Sequence, residues 1–120
     1  MLQYSGLTLA YIGDAYYELM VREYLIEEGD TKVDTLHTKA IVYTSALGQA
    51  QAYETIKDVL SEDEQSIFKR GRNAKTDRKA RNASLADYKQ ATGFESLIGY
   101  LYLNKQTARI QELWQLIVDK

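Results

Sequence analysis

The sequence predicts an all-α fold in a single compact domain, and three observations carry that reading. Proline is absent from all 120 residues, which suits long helices, because a proline inside one removes a hydrogen bond and clashes with the preceding turn. Apolar residues recur at three- and four-residue intervals, whereas no segment shows the strict alternation of a half-buried strand. Glycines and capping residues punctuate these periodic stretches where helices would begin and end.

Gly6 to Glu28 reads as the first helix, closed by Gly29, the residue type that most often ends one. Leu7, Tyr11, Asp14, Glu18, Val21 and Leu25 follow one stripe of it, so two carboxylates interrupt a face expected to pack against protein. A buried carboxylate without a partner protonates or finds a cation, and something positive is therefore expected there. Thr31 or Asp34 opens a second helix whose apolar positions are Leu36, Ala40, Ile41, Tyr43 and Leu47, and Gly48 divides it from a third, Gln49 to Leu60. Ser61-Glu62-Asp63-Glu64 has the form of a helix start: a serine cap, acids in the first turn and a glutamate three residues on. That helix is expected to run to Lys69-Arg70, where Gly71 stops it. Residues 71 to 87 read as a surface loop. Ala91 to Asn104 and Thr107 to Val118 complete the set, the last turning Ile110, Leu113, Trp114, Ile117 and Val118 inward.

At this length one domain buries about two thirds of the surface its unfolded chain exposes. The absence of cysteine excludes disulfides, thiolate metal sites and cysteine nucleophiles. No apolar run approaches the ~20 residues of a membrane span, and the N-terminus lacks a basic-then-apolar signal, so a soluble cytoplasmic protein is expected. Ten tyrosines against two phenylalanines supply polar-tipped aromatics for half-buried positions and interfaces. Charge is uneven along the chain. Between Lys69 and Arg81 seven cations face the single acid Asp77, a net of +6 in a chain whose total is −2, which leaves −8 for the rest. A basic segment on an acidic body points to a polyanionic partner at one place.

Glu95 lies in a long apolar run, Thr92 to Leu103, a setting comparable to that of Asp14. Gly13 and Gly99 each sit close to one of these acids in mid-helix, where glycine costs ~1 kcal/mol relative to alanine. That cost suggests close backbone approach of two helices, which would let Asp14 and Glu95 share a divalent metal. Carboxylates suit magnesium or manganese, hard cations that keep several waters. The blander alternative is a pair of ordinary surface acids. Glu18 either orients a water in such a site or pairs with Arg22 one turn on, and His37 reads as structural or phosphate-facing rather than as a general base. In the basic run, Lys69, Arg70, Arg72, Asn73, Lys75, Arg78, Lys79 and Arg81 set cations and an amide around flexible points, suited to phosphates on both sides of a groove. No aromatic is interleaved there, which favours a double-stranded nucleic acid over stacked single strands.

Leu9-Ala10-Tyr11-Ile12-Gly13-Asp14-Ala15 resembles the signature helix of the ribonuclease III catalytic domain, and Phe94-Glu95-Ser96-Leu97-Ile98-Gly99 resembles its later Phe-Glu-Ala-Leu-Ile-Gly helix. The Lys-Arg-Gly-Arg-Asn-Ala-Lys run from Lys69 to Lys75 and Asp34-Thr35-Leu36-His37 are similar to the Mini-ribonuclease III subfamily, a short bacterial form without the double-stranded-RNA-binding domain. The resemblance implies that residues 1–120 form a ribonuclease III-like catalytic domain with no separate RNA-binding domain. It implies that Asp14 and Glu95 are the catalytic, metal-holding acids. Full ribonuclease III has acids where Ala10 and Thr92 stand, so a site of fewer direct ligands is implied here. It further implies a homodimer, dependence on Mg2+ with Mn2+ as a substitute, 5'-phosphate and 3'-hydroxyl products, and maturation of precursor 23S ribosomal RNA. The leading expectation is a metal-dependent endoribonuclease acting on double-stranded RNA. The alternatives are a non-catalytic RNA-binding or ribosome-assembly module on the same scaffold, and a helical protein-interaction domain using its tyrosines.

Overall fold

A computed structural model describes residues 4–75 and 84–119. Among them are six α-helices and no strand: α1 Gly6–Glu27, α2 Val33–Thr44, α3 Ala46–Ile56, α4 Glu62–Arg72, α5 Leu85–Leu103 and α6 Thr107–Val118, with one 3-10 turn, Lys57–Val59, after α3. The all-α expectation is met.

The helix ends show why the chain breaks where it does. Ser5 Oγ accepts the amide of Thr8 at 3.1 Å and starts α1. At its other end the Gly29 amide donates to Ile26 and the Asp30 amide to Leu25, with Gly29 at φ +110°, a closure that needs the left-handed conformation glycine supplies. α4 begins with both bonds of the expected capping box, Glu64 N to Ser61 Oγ at 3.1 Å and Ser61 N to Glu64 Oε1 at 2.9 Å. Thr107–Val118 stands as read from the sequence.

Elsewhere the boundaries differ. α2 starts at Val33 after Lys32, so neither Thr31 nor Asp34 caps it. Its break from α3 falls at Ser45, which ends one helix and caps the next through Gly48 N to Ser45 Oγ at 3.0 Å. Gly48 sits inside α3 because α3 crosses close to the carbonyl of Val42, where a Cβ would collide. Gly71 likewise does not stop α4. It is buried against Ser96 and Gly93, and the helix continues to Arg72. α5 begins at Leu85, capped by Ser84, so the expected loop is shorter than residues 71–87. Of the apolar positions at helical spacing, Ala40 of α2 is buried, whereas Ile41 of α2 and Leu47 of α3 are exposed.

α5 is the central helix, lying against α1, α3, α4 and α6. Phe94, Leu97 and Leu101 on it are fully buried, as are Tyr17 and Val21 of α1, Phe68 of α4, and Ile110 and Leu113 of α6. The Tyr17 ring meets Phe94 edge-on at 4.9 Å and Trp114 at 5.8 Å. Glu64, itself buried, accepts Arg109 Nε at 2.9 Å and Nη2 at 3.0 Å, tying α4 to α6. The Arg109 guanidinium holds the Glu64 carboxyl below its ordinary range.

The closest packing is between α1 and α5. A Cβ at Gly13 would strike the Glu95 carbonyl oxygen, and one at Gly99 would strike that of Leu9. Since the obstacles are backbone atoms of two buried helices, no rotamer change relieves them. Gly13→Ala is expected to lower stability by about 3 kcal/mol, read as a reduced urea midpoint.

Candidate active site

The α1–α5 crossing builds the site. Asp14 follows the glycine whose Cα lies against Glu95, so the contact that requires Gly13 also sets the two carboxyl groups side by side. Asp14 faces solvent while Glu95 is half-buried behind it. Burial pushes the Glu95 carboxyl up to about 9, helped by the hydrogen bond to Asp14 and the negative charge of Asp14. The shift is toward the protonated form of Glu95.

The anticipated close approach of Gly13 and Gly99 is present, and it brings Asp14 and Glu95 together. The anticipated packed stripe on α1 is only partly so: Val21 and Leu25 are buried, but Leu7, Tyr11 and Asp14 are exposed, with Tyr11 at 83%. The costly burial falls on Glu95 instead. Among the described residues no lysine or arginine pairs with either acid. Of the two α1 carboxylates for which a positive partner was expected, Glu18 has one in Arg22 and Asp14 has none among the described residues.

A neutral donor serves Glu95. Gln49 of α3, 2% exposed, donates from Nε2 to Glu95 Oε2 at 3.2 Å and to the Thr44 carbonyl at 3.1 Å, and its own Oε1 is buried without a partner. Sequence reading missed this residue. Its signal was one of two amides, Gln49 and Gln51, alternating with Gly48, Ala50 and Ala52, uninterpretable until α3 is placed against α5.

Two adjacent carboxylates offer hard oxygen donors, and no cluster of three or more histidine, cysteine, aspartate or glutamate residues that could hold a metal occurs among the described residues. This donor set fits a hard divalent cation that takes one or two carboxylates and fills its remaining positions with water and substrate phosphate. Ala10 and Thr92 are buried beside the crossing, and the Thr92 hydroxyl is spent on the Tyr88 carbonyl at 2.9 Å. Glu18 pairs with Arg22 at 3.2 Å, the simpler of its two readings. His37 is exposed and lines a hollow of about 470 Å3 with Glu18, Arg22, Val33 and Asp34.

The C-terminal end of α4 carries the cations. Gly71 packs on Ser96 and Gly93, which docks this basic end on the face of α5 that also meets Gly6 of α1. Ser96 Oγ also lies 2.7 Å from the Gly6 carbonyl, closing α1, α4 and α5 around the same point. Lys69, Arg70 and Lys75 are exposed. Arg70 Nη1 donates to the Tyr4 carbonyl at 3.0 Å. Arg72 lies 5.8 Å from the Phe68 ring centroid and donates to Asn73 Oδ1 at 3.1 Å. Arg78, Lys79 and Arg81 lie outside the described residues.

Comparison with known proteins gives the family and the fold. Residues 7–106 match the Ribonuclease III domain family model. The chain is 46% identical over 118 residues to the Mini-ribonuclease 3 of Clostridium tetani, covering 98% of this chain and 78% of that protein. It is 46% identical over 120 residues to the Mini-ribonuclease 3 of Enterococcus faecalis, covering 98% and 91%. The crystal structure of a Fusobacterium nucleatum protein matches with a TM-score of 0.91 at 32% identity, over 100% of this chain and 98% of that one.

The raised Glu95 carboxyl gives a pH dependence of fixed sign. Its stabilising contribution is complete below its unfolded value of 4.5 and is lost as pH rises through about 9. Thermal melts in chelator are expected to show a melting temperature that falls between pH 5 and pH 9. Glu95→Gln should flatten that slope and be the more stable protein at the alkaline end.

Proposed function

This chain belongs to the ribonuclease III domain family and is an endoribonuclease, and we propose that it cleaves double-stranded RNA at the Asp14–Glu95 pair. The observation that carries the reading is the pair itself: two carboxyl groups forced together by a glycine crossing, one of them pushed up to about 9, with no cationic side chain among the described residues to balance them.

In this reading Asp14 and Glu95 hold Mg2+, with Mn2+ as a substitute. When bound, such a cation would supply charge stabilisation to the scissile phosphodiester and a more acidic water; the ends expected of the cleavage are 5'-phosphate and 3'-hydroxyl. The protein's own contribution is placement. The α1–α5 crossing fixes both carboxyl groups, and loading the site requires Glu95 to give up its proton, which the neighbouring Asp14 charge opposes and a divalent charge favours. Lys69, Arg70, Arg72, Asn73 and Lys75, joined by Arg78, Lys79 and Arg81, grip the phosphates of the duplex in place of a separate RNA-binding domain. The packing of Gly71 on α5, the helix that carries Glu95, supports this reading.

The reading extends to residues 1–120 as one catalytic domain in a homodimer that trims precursor 23S ribosomal RNA in the cytoplasm. The dimer is supported by apolar surface left open on α1 and α2, where Tyr11 is 83%, Leu19 62%, Val33 77% and Val42 65% exposed. Among the described residues no helix is long and apolar enough to cross a membrane.

Two variants test the division of labour on a labelled RNA duplex carrying precursor 23S ends. Asp14→Asn should lose cleavage by at least about a hundredfold, ~2.7 kcal/mol of barrier, while still binding the duplex. Lys69→Ala should weaken binding and reduce the slope of log affinity against log salt by about one. Duplex binding without cleavage by the wild type in Mg2+ would instead support an RNA-binding module.

A further inference from the structure

Gln49 is an unusual choice for its position. It is 2% exposed, leaves Oε1 buried and unpartnered, and follows Gly48, which is itself pressed against the Val42 carbonyl. An apolar side chain would fill the space without an orphaned carbonyl oxygen. It would, however, leave Glu95 Oε2 without its donor. A lysine or arginine would supply that donor but would neutralise the carboxylates and compete with any cation they hold. Only a neutral donor orients Glu95 and leaves its charge available.

The surroundings fix which end of the amide faces Glu95. Nε2 bonds both the Thr44 carbonyl and Glu95 Oε2. Turning the amide over would set Oε1 against two acceptors, so the orphaned oxygen is the consequence of holding both. Thr44 ends α2, and Ser45 joins it to α3. The amide is therefore anchored on the α2–α3 joint and reaches across to α5. On the α5 side the Glu95 backbone is pinned by Gly13. The side-chain torsions of Glu95 are the freedom that remains, and Gln49 restricts them.

We propose that Gln49 is a positioning residue of the cation site: it holds Oε2 of Glu95 so that the other carboxylate oxygen and Asp14 are presented together to a hard divalent cation. This rests on the reading that Asp14 and Glu95 hold the cation. Gln49 does not touch the substrate; it acts through Glu95, as hydrogen-bond partners of metal ligands commonly do.

The test is Mn2+ binding, by calorimetry and by the loss of the free-ion electron paramagnetic resonance signal, to wild type, Gln49→Met and Asp14→Asn. Each protein's melting temperature in chelator is measured alongside. Gln49→Met keeps the length of the side chain and removes the donor. It should fold, weaken Mn2+ about tenfold or more, and slow single-turnover cleavage at fixed Mn2+ while duplex affinity in chelator stays within twofold. A purely structural role would lower the melting temperature and leave the Mn2+ affinity of the folded protein unchanged, and that result overturns the proposal. If Gln49→Met does not fold, the wild type decides. The Gln49 side-chain amide resonances should shift during a Mg2+ titration together with those around Asp14, and their constancy while the others move overturns the proposal equally. Should Asp14→Asn bind Mn2+ as wild type does, the assignment of the cation to Asp14 and Glu95 fails, and the role of Gln49 falls with it.

Discussion

Everything specific about this molecule depends on two helices approaching until backbone meets backbone. Helix–helix distances are ordinarily set by side chains at the contact. Here Gly13 and Gly99 remove those side chains, and the carbonyl oxygens of Glu95 and Leu9 occupy the space a Cβ would need. Glycine in mid-helix is conformationally costly, and burial of α5 on nearly every side is what offsets it. The crossing aligns Asp14 with Glu95. A second small-residue contact, Gly71 and Gly6 closing on Ser96, holds the basic end of α4 to the same two helices. Acid pair and basic helix end are thus placed by one packing device used twice.

The electrostatics follow from that geometry. Two carboxyl groups within hydrogen-bonding reach, one removed from water, cannot both ionise at neutral pH without help. Burial and the neighbouring Asp14 charge push the Glu95 carboxyl up, toward its protonated form. In the proposed reading a divalent cation would relieve the same conflict. The pair is therefore a poor contributor to stability and a good receptor for positive charge, the kind of local conflict expected where function overrides packing. Gln49 belongs to the same compromise, leaving its own oxygen unsatisfied in order to hold Glu95 without neutralising it.

The legibility of the sequence varied with the physics involved. The all-α class, α1 to its closing Gly29, the capping box of α4 and the whole of α6 were readable because they are local: turn chemistry, caps and helical period leave marks within a few residues. Gly48 and Gly71 misled for a non-local reason. Each reads as a helix stop, but each is a contact glycine whose partner lies on another element. Ile41 and Leu47 recur at helical spacing yet are exposed, because helical period identifies an apolar stripe without saying whether protein or solvent covers it. Within the site, Asp14 and Glu95 stood out as acids beside mid-helix glycines. Gln49 did not, because a buried amide acquires meaning only through its partner 46 residues away.

The central claim is that the glycine crossing of α1 and α5 makes a cation site of Asp14 and Glu95. Anomalous diffraction from crystals of the unmodified protein soaked in Mn2+ tests it most directly. The account predicts a manganese peak between the Asp14 and Glu95 carboxylates, with Gln49 still bonded to Oε2 of Glu95. Crystals of protein that cleaves RNA in Mn2+, yet show manganese bound elsewhere and none at this pair, would contradict it.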